Sequence, residues 1–151
     1  MKKIVLIIIC LLLITGCNNN SKDKVKICTR TGELTNGSAS MEYTVTYSND
    51  YIKTLKAVEK VTSEDSSILD QYEESYKKIY SYYEGLEYYD TKVTRTSNSV
   101  ISNININYEK IDIDKLLSIE GKEDNIIVNG KASLSSWLKL AKKVGVTCKN
   151  N

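Results

Sequence analysis

The 151-residue chain contains no histidine, no proline and no phenylalanine. Losing histidine removes the commonest general base and the commonest zinc ligand. Ser-His-Asp and Cys-His catalysis are excluded, and so are zinc-protease helices of the His-Glu-x-x-His type. With no Phe and one Trp, the 11 Tyr must do the aromatic packing. An excess of charge is also lacking, since 21 Lys and Arg face 19 Asp and Glu. That balance gives no reason to expect nucleic acid as a partner, or an attraction to anionic lipid head groups. What remains, 41 % apolar and 26 % charged residues, is the make-up of a globular chain rather than a disordered one.

No hydrophobic run is long enough to cross a bilayer as a helix. The longest, Ile4–Ile14, has about half of the ~20 residues required. It follows Met1-Lys2-Lys3, a short positive start, and therefore reads as the apolar part of an export signal. Ile14-Thr15-Gly16-Cys17 comes directly after it. This resembles the lipobox of bacterial lipoproteins, in which the Cys thiol receives diacylglycerol and the chain is cut just before it. The expected organisation is a signal peptide over 1–16, lipidation at Cys17, a polar tether over 17–24 and one domain over 25–151. The domain is expected at the extracytoplasmic face of the cell membrane, held there by its N-terminal lipid. Two acyl chains supply the two anchors that stable attachment needs.

Cysteine is scarce, with four in all. Cys10 leaves with the signal and Cys17 carries lipid, which leaves Cys28 and Cys148 at opposite ends of the domain. In an exported domain such a pair is a disulfide candidate. Two free thiols, or a redox or metal-binding pair, are the alternatives.

Val25, Ile27 and Thr29 alternate with Lys26, Cys28 and Arg30, as in a half-buried strand. Gly32 and Asn36-Gly37 mark a loop. Met41, Tyr43, Val45 and Tyr47 alternate in a second strand, and Ser48-Asn49-Asp50 turns into a third over Tyr51–Thr62. The period then changes to three and four, with Ile68, Leu69, Tyr72, Tyr76, Ile79, Tyr80 and Tyr83 on one helix face. Ser63 or a neighbour caps it and Gly85 stops it. Leu86–Arg95 is strand-like, and Val100, Ser102, Ile104, Ile106 and Tyr108 alternate with a face carrying Asn103, Asn105 and Asn107. Asp112 or Asp114 caps a short helical turn, Ile126–Val128 is a short apolar run ended by Asn129-Gly130, and Leu134–Val144 is an amphipathic helix capped by Ser133. The order β-β-β-α-β-β-α-α with short turns predicts an α+β fold, an antiparallel sheet with helices packed on one face.

Several of these pieces together resemble the YehR-like bacterial lipoproteins. They are Lys26-Ile27-Cys28-Thr29, the hairpin of Met41–Tyr47 with Tyr51–Thr62, the helix ending at Tyr80–Gly85, Ile104–Asp112, and the closing Gly145-Val146-Thr147-Cys148-Lys149. The resemblance implies a compact α+β lipoprotein domain. It brings no catalytic residue with it.

Candidate sites are few. Tyr72, Tyr76 and Tyr80 form a ladder on the core side of their helix, so core packing explains them better than ligand contact. Tyr82, Tyr88 and Tyr89 are the more exposed rings expected to meet a ligand. The carboxylate pairs Glu64/Asp65, Glu73/Glu74, Asp112/Asp114 and Glu123/Asp124 sit in no catalytic or calcium-loop motif. The Asn face and Trp137 read as the wet side of a sheet and as core. No catalytic residue, metal site or cofactor is expected. The expected function class is a non-enzymatic, ligand-binding or envelope-associated lipoprotein whose partner is a small ligand or another envelope protein; the alternatives are a protein-interaction or structural module of an envelope complex and, behind it, a His-free hydrolase using Ser, Lys or carboxylate groups.

Overall fold

The computed structural model describes residues 22–123 and 125–149. The signal peptide, Cys17 and the start of the tether lie outside the described residues. Eight strands and three helices run in the order β1 (Lys24–Leu34), β2 (Gly37–Ser48), β3 (Tyr51–Ser63), α1 (Ser66–Ser81), β4 (Tyr89–Arg95), β5 (Ser99–Asn107), α2 (Ile113–Glu120), β6 (Ile127–Val128), β7 (Lys131–Ala132), α3 (Leu134–Lys143) and β8 (Thr147–Lys149). Six strands form one antiparallel sheet in the order β4-β5-β3-β2-β1-β8, and β6 and β7 make a separate small hairpin. The helices pack on one face of the sheet, so the fold is the expected α+β.

The register follows from turn chemistry. Asn49 takes a positive φ of 55° in the tight β2–β3 turn. Lys53 is an extra residue on β3 where the pairing shifts from Thr46↔Thr54 to Tyr47↔Ile52. This bulge keeps Ile52, Leu55, Ala57 and Val61 on one face. Below it lie Val45, Ile106, Leu116 and Leu134 as the main core, with a second cluster of Val61, Leu69, Tyr76, Tyr80 and Val100 under α1.

Strand β1 departs from expectation twice. It runs through Gly32 to Leu34, so the loop shrinks to a tight turn at Thr35 and Asn36. Its apolar residues also point the other way, with Val25 and Ile27 exposed by 46 % and 37 % while Cys28 is fully buried. Cys28 pairs with Cys148 across β1 and β8 as a disulfide, packed with Ala141 and Val146 of the α3 region. Strand alternation is strict, so burying Cys28 turns Lys26 and Arg30 inward and Val25 and Ile27 outward.

Helix starts are set by side-chain acceptors, as the sequence suggested. Asp65 rather than Ser63 caps α1, accepting from the Ser67 amide at 2.9 Å. Ser63 is buried and works one step earlier, donating to the Asn36 carbonyl and accepting from the Asp65 amide. Asp112 caps α2 and Ser133 caps α3. Among the described residues, no helix is long and apolar enough to cross a membrane.

Candidate functional site

Alternation along β3 places Leu55, Ala57, Glu59 and Val61 on the face that the helices cover. Glu59 is thus a charge at an apolar-face position. Its rung of the sheet reads Arg30 on β1, Met41 on β2, Glu59 on β3, Ser102 on β5 and Val93 on β4. Helix α1 covers the β5 and β3 side of that rung. Over β1 and β2 the rung lies under a groove of about 260 Å³. The inner-face residues lining the groove are Arg30, Leu34, Ala39, Met41, Glu59 and Val61, with Tyr72 and Tyr76 as the α1 wall. Glu33, Ser40 and Lys60 belong by alternation to the other face and form part of its rim.

Two phenols, Tyr43 and Tyr76, stand close enough to Glu59 to feel its charge. The Tyr43 hydroxyl donates to the Met41 sulfur at 3.5 Å. Burial first, then the negative charge of Glu59, raises both phenols above the usual tyrosine value, Tyr76 far above it. Each therefore stays protonated as a donor and is neither a base nor a nucleophile near neutral pH. Tyr80 is raised chiefly by burial, opposed by its hydrogen bond with Ser102. Among the described residues, no lysine or arginine forms an ion pair with Glu59. Arg30, exposed on the same rung, stands two strands away, ~10 Å at the usual strand spacing.

A second cavity of about 450 Å³ lies at the other end of the sheet, lined by Tyr51, Lys53, Tyr108, Glu109 and Lys131 among others. Its charges are already matched. Lys53 pairs with Asp23 at 2.8 Å and Glu109 at 3.4 Å, and Lys131 lies 4.7 Å over the Tyr51 ring. The smaller groove is the better candidate because its carboxylate has no cationic partner.

The rings expected to meet a ligand are not gathered at either place. Tyr82 is 60 % exposed just past α1, and Tyr88 is 44 % exposed with Lys110 5.6 Å over its ring. Tyr89 turns inward and stacks on Tyr83 at 4.1 Å. The ladder of Tyr72, Tyr76 and Tyr80 is core, as expected, but its upper rings also wall the groove. Trp137 packs edge-on against Tyr43 at 5.6 Å. Asp65 and Asp112 are helix caps, Glu73 pairs with Lys77, and Asp124 lies outside the described residues. Among the described residues, no three Cys, Asp or Glu side chains gather into a cluster able to hold a metal ion. Glu59 and Arg30 were missed by motif reading. The signal that finds Glu59 is its place in the run Leu55, Ala57, Glu59, Val61.

An antiparallel sheet with all helices on one face and a groove beside the longest of them defines the architecture. The chain belongs to the family described as protein of unknown function (DUF1307), whose model matches residues 28–146. It is similar to the solution structure of the Escherichia coli YehR protein, with a TM-score of 0.58 at 16 % identity over 85 % of this chain and 92 % of that one. It is also similar to the solution structure of a Streptococcus pneumoniae protein, with a TM-score of 0.53 at 14 % identity over 86 % of this chain and 87 % of that one. At these identities the likeness is one of fold. No curated protein matches the chain.

Proposed function

We propose that the chain is a lipid-anchored, extracytoplasmic binding protein whose small ligand sits in the Glu59 groove, and that it is not an enzyme. The observation that carries the groove reading is Glu59 itself. It is a half-buried carboxylate at an otherwise apolar position of the inner face, it lines the groove, and among the described residues it has no ion-pair partner, so its acceptor oxygens are open to a ligand's donors. The reading of anchor and compartment is supported by the Cys17 lipobox and by the disulfide between Cys28 and Cys148, a bond that persists in oxidising compartments. The tether enters at Lys24, and from there to Arg30 the strand runs ~20 Å, so the groove lies well away from the point of attachment.

Amide NMR of the soluble domain, titrated with metabolite and muropeptide mixtures, tests the groove. The expected shifts cluster on Arg30–Leu34, Ala39–Met41 and Glu59–Val61. Shifts confined to the cavity around Lys53 and Tyr108, or none at all, would remove the assignment. For the anchor, mass spectrometry of the mature protein is expected to show a diacylated Cys17 as the first residue, and Cys17→Ser is expected to leave the chain unprocessed. An intact Met1 on the wild-type protein would refute it.

A further inference from the structure

The Glu59 groove carries a further step, which rests on its being the ligand site. We propose that it takes a zwitterion, a free apolar amino acid or a very short apolar peptide, with the ammonium on Glu59 and the carboxylate toward Arg30. Three features converge on that chemistry. Glu59 lacks a cationic partner among the described residues and lines the groove. An ammonium, with three donors and no acceptor, complements a carboxylate, which is acceptor only. Tyr72 and Tyr76 wall the same space, and aromatic faces attract cations.

Arg30 supplies the opposite charge in the same groove. It is exposed, and its planar fork suits a carboxylate. Met41 lies between the two on the rung, so the space bridging the charges has an apolar floor, extended by Ala39, Leu34 and Val61. That floor suits an aliphatic side chain. At about 260 Å³ the groove falls short of the ~300–1,000 Å³ typical of pockets for drug-sized ligands, which favours a small occupant. A dianion meets Glu59 as a like charge, and a diamine meets Arg30 as one.

The test uses leucine and the dipeptide Leu-Leu as probes, with N-acetylleucine and isopentylamine as controls that each lack one charge. Binding is followed by amide NMR shifts of the soluble domain. Leucine or Leu-Leu is expected to move the groove amides, and both controls to bind at least about tenfold more weakly. Glu59→Gln and Arg30→Gln are each expected to weaken the zwitterion about tenfold or more. Arg30 is exposed, so its variant reports on binding without disturbing the core. Equal binding of leucine and either control overturns the zwitterion, and so does unchanged affinity in Arg30→Gln. If other compounds move the groove amides and neither zwitterion does, this inference falls and the groove remains the ligand site. If nothing moves them, both readings fall together.

Discussion

Asp50 sits exposed in the β2–β3 turn, yet it organises the start of a helix more than eighty residues away in sequence. Its carboxylate accepts from the Ser133 hydroxyl at 2.8 Å and from the Ser135 amide and hydroxyl at 2.9 Å each. The hydrogen bond from Ser133, followed by those from Ser135, holds its pKa below the usual carboxylate value. A lowered folded pKa stabilises the fold above the unfolded value of ~3.9, and that contribution is lost as pH falls through the folded one. Asp50→Asn keeps an acceptor and removes the charge at the α3 N-terminus. The expected loss is about 0.3–1 kcal/mol at neutral pH, modest because solvent screens the site. The gap between wild type and variant should close below pH ~3 in urea melts. A gap of constant size down to acid pH would show that the charge of Asp50 plays no part.

Gly37 makes a different demand. A Cβ built there would lie 1.9 Å from the Thr62 carbonyl oxygen, which is backbone and cannot swing aside. Gly37→Ala must therefore push β2 from β3, or distort the turn that Ser63 fastens through the Asn36 carbonyl. An overpacking cost of at least ~1–3 kcal/mol is expected from denaturant unfolding. A neutral substitution would mean that the β1–β2 turn is not held against β3 as described.

At the scale of elements, the sheet's central strands were legible from sequence because their two faces differ in polarity. On β5 Val100, Ile104 and Ile106 face the helices and Asn103 and Asn105 face outward with Ile101, so alternation gave the register. The α1 periodicity and the Ser133 and Asp112 caps were legible for the same reason, since a local pattern is all they need. Strand β1 was misread because both of its faces are mixed, and a long-range pairing decides between them. The β6–β7 hairpin is too short to have a period, and only Asn129-Gly130 hinted at it. The groove was illegible as a motif because Arg30, Met41 and Glu59 are brought together by strand pairing, not by spacing in sequence.

The disulfide joins elements that local pattern cannot. Cys28 and Cys148 are 120 residues apart, and the bond holds the short strand β8 against β1. On the chain-entropy model a loop of that length is worth ~4–5 kcal/mol. The double variant Cys28→Ala, Cys148→Ala is expected to melt roughly 10–20 °C lower than the oxidised protein. The reduced wild type should lie close to the variant. Equal melting of oxidised and reduced protein would mean that β8 is held by packing alone.

For the molecule as a whole, the absence of Phe has an electrostatic consequence. Tyrosine fills sites that another sequence would fill with a ring that never ionises. Tyr43, Tyr76, Tyr80, Tyr83, Tyr89 and Tyr108 all have pKa values raised first by burial, several of them also by Glu59 or Glu120 nearby. In the unfolded chain these phenols titrate near ~10. A raised folded value means the stabilisation is complete below ~10 and is lost as pH climbs through the folded values, because only the unfolded chain can release the protons. Urea stability should therefore fall steeply between about pH 9 and pH 12, and tyrosinate absorbance should rise together with loss of structure rather than ahead of it. Tyr76→Phe removes one of the protons concerned, so its stability should fall less over the same range, while its stability at pH 8 changes by no more than about 1 kcal/mol. If wild type and Tyr76→Phe lose stability in parallel up to about pH 12, Tyr76 is not the buried phenol that walls the groove beside Glu59.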